Sequence, residues 1–402
     1  MIVYARKLLE HNLTQISLVL YVALIVAIPI KASLTNAVIV VTALCWVFAK
    51  GYKELSLTWQ NSIVRYLVLF YLLLVLSLIY SSEQGHGVQF LFRRIPLVLI
   101  PLILPFFLKY VHQRHIVSTW VITWLSASFY SLASTIYVYG FNPENLSYFS
   151  WVLPNTIGID SNYYSLFCSA TLTILLNDFF IGKSLKTSSL IYFILILYFF
   201  TFLALLSSRT TFFSTSILIL CAPLFFCFSK GISKRVGALY FGVGISIVLT
   251  VFWAIPYLKE KTFLLMSEKD PRYFQFQAGW NVVRCSPIFG VGIGDAQDHL
   301  MKQYEILGFR EGIENKYNVH NEYLHTAISA GIPALATFLI LLALCFKIAL
   351  RNRNFAQFGF IIVFASGCLT EVVLNRFNGI AFFSILLATL FIKPFNETHS
   401  SR

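Results

Sequence analysis

Apolar residues run along this chain in blocks of about 20 positions, the length of a helix crossing a hydrocarbon core of about 30 Å. Read between their polar breaks, the blocks fall near 14–31, 34–50, 62–80, 88–108, 115–139, 161–180, 187–206, 208–229, 236–257, 322–346, 355–374 and 376–392. They are continuous rather than alternating, so they predict spanning helices and not strands. The longest polar stretch, 258–321, lies between the ninth and tenth blocks. The pattern therefore predicts an all-α polytopic membrane protein of about 12 transmembrane helices. Residues 1–257 hold spans one to nine, 258–321 form one large loop with short helices, and 322–402 hold the last three spans and a tail.

Composition agrees with that division. The 402 residues are 58% hydrophobic and only 12% charged, where a soluble domain carries roughly a quarter charged residues. The net charge of +13 does not point to nucleic acid, because the basic residues are scattered between apolar blocks and form no patch. They report orientation instead. With the N-terminus inside, Lys50, Lys53, Lys109, Arg114, Lys183, Lys186, Lys230, Lys234, Arg235, Arg351 and Arg353 fall in cytoplasmic connections. Both ends are then cytoplasmic, and the 258–321 loop faces outward. A shorter outer loop, 140–160, is edged by Tyr137, Tyr139, Phe149 and Trp151, as an interfacial belt would be. The first block ends at Lys31 without a small-residue cleavage pattern, so it is expected to stay as the first span. Six of the seven cysteines lie in apolar blocks and Cys285 in the loop, so neither a disulfide framework nor a zinc spacing follows. No internal repeat supports the inverted halves of a transporter.

Ionisable groups at membrane depth are costly and mark candidate chemistry. Arg93 and Arg94 interrupt span four about one turn inside its outer end, either as a snorkelling pair or as a site for an anion. Arg209 sits where spans seven and eight abut with almost no polar connection, and its planar fork of donors suits phosphate oxygens. In the loop, Asp270-Pro271-Arg272 opens a helix that Ser286-Pro287 closes, with Asp270 as N-cap and Pro271 as first residue. Tyr273, Phe276, Trp280 and Val283 make its apolar stripe, which would lie on the membrane surface or on the bundle. Arg272 stands at that helix's N-terminus, where unpaired backbone N–H groups favour an anion. The Gly290-Val291-Gly292-Ile293-Gly294-Asp295 run lacks the strand context of a dinucleotide site and reads as a tight return of the loop to the bundle. His320 opens span ten and takes protons near neutral pH; His325 lies on another side of that helix, so the two make a poor metal pair.

These features resemble the O-antigen ligases of the wider O-antigen ligase/polymerase superfamily. The shared marks are the layout, a Ser-Arg opening span eight, the loop's Arg…Trp…Pro…Gly-x-Gly-x-Gly run, Val319-His320-Asn321-Glu322-Tyr323-Leu324, and Ala330-Gly331-Ile332-Pro333. Asp160-Ser161-Asn162-Tyr163-Tyr164 departs from the family's His-Pro-Tyr-like stretch, which leaves the member of the superfamily open. The resemblance implies a GT-C-like, cofactor-free and metal-independent glycosyltransferase of the bacterial inner membrane with its active site on the periplasmic side. His320 would be the catalytic base, and Arg209 and Arg272, with Arg93 and Arg94 by a looser match, would bind diphosphate. The expected partners are an undecaprenyl-diphosphate-linked glycan, a lipid A-core acceptor and the bilayer. Leu369-Thr370-Glu371 also looks family-like, with no role implied for Glu371. A glycan polymerase or protein O-oligosaccharyltransferase would use a similar constellation, and a twelve-span transporter is the alternative of another class.

Overall fold

The computed structural model describes residues 2–140, 146–182, 185, 187–255 and 271–392, apart from the side chains of 2–11, 146 and 182. The expected N-cap Asp270 and the last residues of the ninth block lie outside this set. Among the described residues the chain forms 17 α-helices and no strand. Eleven precede the long loop: α1 (Ile2–Ala27), α2 (Ala32–Phe48), α3 (Leu55–Trp59), α4 (Ser62–Ser77), α5 (Gln84–Leu108), α6 (Gln113–Tyr139), α7 (Phe149–Ile157), α8 (Ser161–Asn177), α9 (Ser189–Leu205), α10 (Arg209–Lys230) and α11 (Lys234–Ala254). The loop supplies α12 (Pro271–Cys285), α13 (Ala296–Ile306) and α14 (Arg310–Glu314), and α15 (Glu322–Asn352), α16 (Phe355–Cys368) and α17 (Phe377–Phe391) follow.

Each apolar block coincides with a helix, and short polar side chains start many of them. Asn61, Asp160, Ser188, Ser233, Asn321 and Asn354 each accept a hydrogen bond from a backbone N–H of the first turn they precede. Among the described residues six helices are long and apolar enough to cross a membrane: α5, α6, α8 with its π-turn, α10, α11 and α15. The α2 helix and the following short segment qualify only as a pair bent by 81°, and five apolar helices are shorter. Among the short ones, α9 stops at the polar turn 207–208, and α16 ends and α17 begins at the polar turn 369–376.

The core lies where α8, α10, α15, α16 and α17 meet, with α5 against α17 and α4 against α15. Lipid offers no hydrophobic drive between spans, so close approach and internal hydrogen bonds hold them. A Cβ on Gly359 would stand 2.4 Å from Thr173, and one on Gly367 2.9 Å from Leu166, so these glycines let α16 close onto α8. Trp120 donates to Thr171 at 3.0 Å and Thr215 to Ser169 at 2.7 Å across helices. In contrast, α11 buries only Gly237, Gly244 and Val251 and lies at the edge.

The described part of the long loop packs on the bundle through its own apolar cluster. Ala278, Val282, Leu300, Tyr304 and Phe309 of the loop join Val319, Leu324, Ile328 and Val372. α12 ends before Ser286, as its sequence predicts. Its buried face is Gln275, Ala278, Gly279, Val282 and Val283, whereas Tyr273, Phe276 and Trp280 point outward.

The glycine-rich run is the clasp of this unit. Pro333 has no N–H for the Ser329 carbonyl, and Gly331 leaves the helix at φ +76°, so carbonyls of α15 are released. Val291 N–H donates to Ile328 O at 2.8 Å and Gly292 N–H to Ser329 O at 3.1 Å, while Ile332 N–H turns to Pro287 O at 2.9 Å. A Cβ on Gly331 would fall 2.0 Å from the Ile288 carbonyl oxygen, so no other residue fits there. Asp295 completes the closure by accepting from the backbone N–H groups of Ser82 and Glu83 at 2.7 and 2.8 Å.

Candidate functional site

His320 occupies the turn between the loop unit and α15, in the left-handed region at φ +45°. The Asn318 side chain accepts its backbone N–H at 2.8 Å, and Asn321 caps α15 through Leu324 N–H at 2.9 Å, so local sequence holds the turn. Left-handed backbone costs a non-glycine residue roughly 1–2 kcal/mol. Such strain persists where the surroundings over-determine it, commonly at functional sites.

The ring of His320 is half-buried, with Nδ1 3.5 Å from Glu371 Oε2. Glu371 also accepts from Val372 N–H at 3.0 Å and from the Asn162 side-chain amide at 3.1 Å. Burial opposes the charge on Glu371, but the hydrogen bond and charge of His320, the Val372 N–H and the Asn162 amide outweigh it and hold the carboxyl below its ordinary value. A carboxylate at Nδ1 favours the tautomer that carries its proton there, leaving the Nε2 lone pair directed away from Glu371.

Asn162 extends this contact toward Arg209. Its side-chain oxygen accepts from the hydroxyl of Ser208 at 3.2 Å, and Ser208 is the N-cap residue of α10, immediately before Arg209. Ser208, Asn162, Glu371 and His320 thus form one polar chain across α10, α8, the 369–376 turn and the start of α15. Arg209 itself is half-buried. Arg272 is half-buried at the start of α12, and two turns further on the helix packs Gly279 against Val319 and Leu324, which flank the histidine turn.

The α5 arginines part company. Arg94 is buried, its Nε donating to Leu374 O at 2.8 Å, while Glu322 accepts Leu374 N–H at 2.7 Å. Both peptide groups of Leu374 are thereby gripped, and Arg94 is turned inward as a support of the 369–376 turn. Arg93 remains exposed, with one Nη donating to Asn375 O at 3.2 Å. Of the expected pair, only Arg93 presents its guanidinium outward. Glu371, Asn162 and Asn318 carry the geometry of the site although the sequence assigned them no role; Asn162 lies within the segment that departs from the family pattern. Among the described residues no group of three His, Cys, Asp or Glu is placed to hold a metal ion.

An all-helical fold with several long apolar helices, and a histidine, a carboxylate and an asparagine joined in one polar chain across packed helices, is that of a polytopic membrane protein with a candidate reaction site. Residues 193–339 match the family model described as O-Antigen ligase. The matched segment takes in Arg209, Arg272 and His320 and leaves out Arg93, Arg94 and Glu371. No curated protein matches the chain.

Proposed function

We propose that this protein is an inverting, metal-independent O-antigen ligase of the bacterial inner membrane, with about twelve spans, both termini cytoplasmic and the site on the periplasmic side. The observation that carries the proposal is the His320–Glu371 contact in a strained turn, tied through Asn162 to the N-cap of α10. Nε2 of His320 takes the proton of an acceptor hydroxyl of lipid A-core as its oxygen attacks the anomeric carbon of the glycan. Glu371 fixes the ring and stabilises the imidazolium that forms. The bond from the anomeric carbon to the diphosphate oxygen breaks on the opposite face, and configuration inverts. Arg209 and Arg272 hold the undecaprenyl diphosphate and stabilise the charge growing on it, usually the largest contribution to such a transfer. Of the α5 pair, Arg94 acts on the backbone of the 369–376 turn and not on phosphate. A planar guanidinium grips two phosphate oxygens at once, which makes divalent metal dispensable. EDTA should therefore leave the rate unchanged in a purified transfer assay, and strong inhibition would restore a metal mechanism.

A deletion strain separates this reading from a polymerase or a protein glycosyltransferase. Uncapped lipid A-core together with intact polymer on the carrier lipid marks a ligase. Single repeat units on the core mark a polymerase, and a normal core with an unglycosylated outer protein marks a protein transferase.

A further inference from the structure

The exposed Arg93 stands at the middle of a groove that the donor assignment does not explain. On α5, His86, Gln89, Phe90 and Arg93 follow at helical spacing, so they share one face over about 10 Å. That face and Gln297, Asp298 and Lys316 enclose a cleft of about 330 Å³. The side-chain amide of Gln297 donates to the carbonyls of Lys316 and Tyr317 at 3.2 and 3.1 Å, which fixes this wall against the strand of chain leading to His320. Two amides, a carboxylate and an aromatic ring are the groups that bind sugar hydroxyls and sugar faces.

Arg93 also borders a second hollow of about 400 Å³, lined with Arg376, Phe92, Pro96, Phe377 and Asn36. Arg93 lies over the Phe90 ring at 5.7 Å and is anchored to Asn375 O; Arg376 faces Asp160 at 3.7 Å and stays largely exposed. Beyond the two guanidinium groups the wall becomes apolar, with Phe92 67% exposed on the face of α5 away from the core. From water toward lipid the groove therefore runs through polar groups, then two cations, then aromatic and proline surface.

We propose that this groove seats a phosphorylated glycolipid of the outer leaflet: sugar in the upper cleft, phosphate between Arg93 and Arg376, acyl chains along Phe92 and Phe377. Resting on the transferase reading, this lipid is the acceptor. It reaches His320 along the 369–376 turn, whose Asn375 carbonyl holds Arg93.

Native mass spectrometry of the full-length protein, incubated with lipid A, phosphatidylglycerol or inorganic phosphate, tests the groove. Lipid A should stay bound against a tenfold excess of either competitor, the order expected when sugar contacts add to a charge-assisted phosphate pair. Arg93→Gln with Arg376→Gln should lower lipid A retention about tenfold or more. Asp298→Asn should lower it roughly threefold while leaving phosphatidylglycerol unchanged, about the loss of one hydrogen bond. Thermal unfolding matched to the unsubstituted protein controls for folding, and Arg93→Lys should retain part of the binding. Full retention by the double arginine variant overturns the proposal, as does displacement by an equal amount of phosphatidylglycerol or by phosphate. His320→Ala should bind lipid A normally while losing transfer. Transfer by that variant would refute the catalytic reading and leave the groove standing, whereas loss of binding in the groove variants alone speaks to the groove.

Discussion

The glycine-rich run at 290–295 and the histidine turn at 318–321 both bend the backbone into the left-handed region beside the same helix, α15. In the first, the unusual angles fall on Gly290, where a Cβ would meet the backbone of α15 at Ile328, Ala330 and Gly331, and on Gly292, where it would meet Ser81. In the second, the angle falls on His320, which pays for it, and the ring stays half-buried beside a carboxylate. Strain at glycine costs little and here marks a fastening. Strain at a histidine costs more and persists because Asn318, Asn321 and Glu371 together impose it. A sequence motif rich in glycine is thus the structural element, and a turn with none holds the candidate base.

That contrast can be broken most severely at the clasp. Gly331→Val places side-chain atoms on the Ile288 carbonyl and should cost well over about 3 kcal/mol, measured as loss of monodisperse protein after solubilisation. Gly308→Ala, where a Cβ meets open space at φ +68°, should cost only about 1–2 kcal/mol. Equal losses would mean the clasp is not a close fit. At the turn, Glu371→Gln should reduce transfer between about 10- and 1,000-fold without changing protein level, since ring orientation is lost and the base remains. An unchanged rate would remove Glu371 from the mechanism. Arg209→Lys should be within about threefold of Arg209→Ala if the fork matters, and near-normal transfer by the lysine variant would reduce its role to charge.

A smaller effect follows from protonation. The folded-state value of Glu371 is depressed, so its contacts contribute stability at pH above the ordinary carboxylate range, and that contribution is lost as pH falls through the lower folded value. The difference in melting temperature between the native protein and Glu371→Gln should therefore shrink as pH is lowered through that window. A constant difference would mean that the carboxylate's charge contributes nothing there.

Much of this was legible in the chain. Apolar blocks fixed the helices because in lipid each span must satisfy its own backbone; Arg209 and His320 stood out at block edges, and Arg272 at the expected start of a loop helix. Ser286-Pro287 closed α12 because proline cannot continue a helix. What stayed hidden was pairing between distant segments. Asn162 and Glu371 are 209 positions apart, and only the packing of α8 on α16 brings them together. Arg93 and Arg94 look equivalent in sequence, yet successive helix positions differ by about 100°, which sends one outward and the other onto Leu374.

The most direct test replaces His320 with glycine in purified protein reconstituted with a diphosphate-linked glycan and lipid A-core. Glycine keeps the left-handed backbone and relieves its strain, so the variant should melt no lower than the native protein apart from the lost ring contact. Transfer should fall by about 10²–10⁴-fold, the contribution of a positioned base. Transfer at the native rate in a normally folded His320→Gly protein would contradict the account.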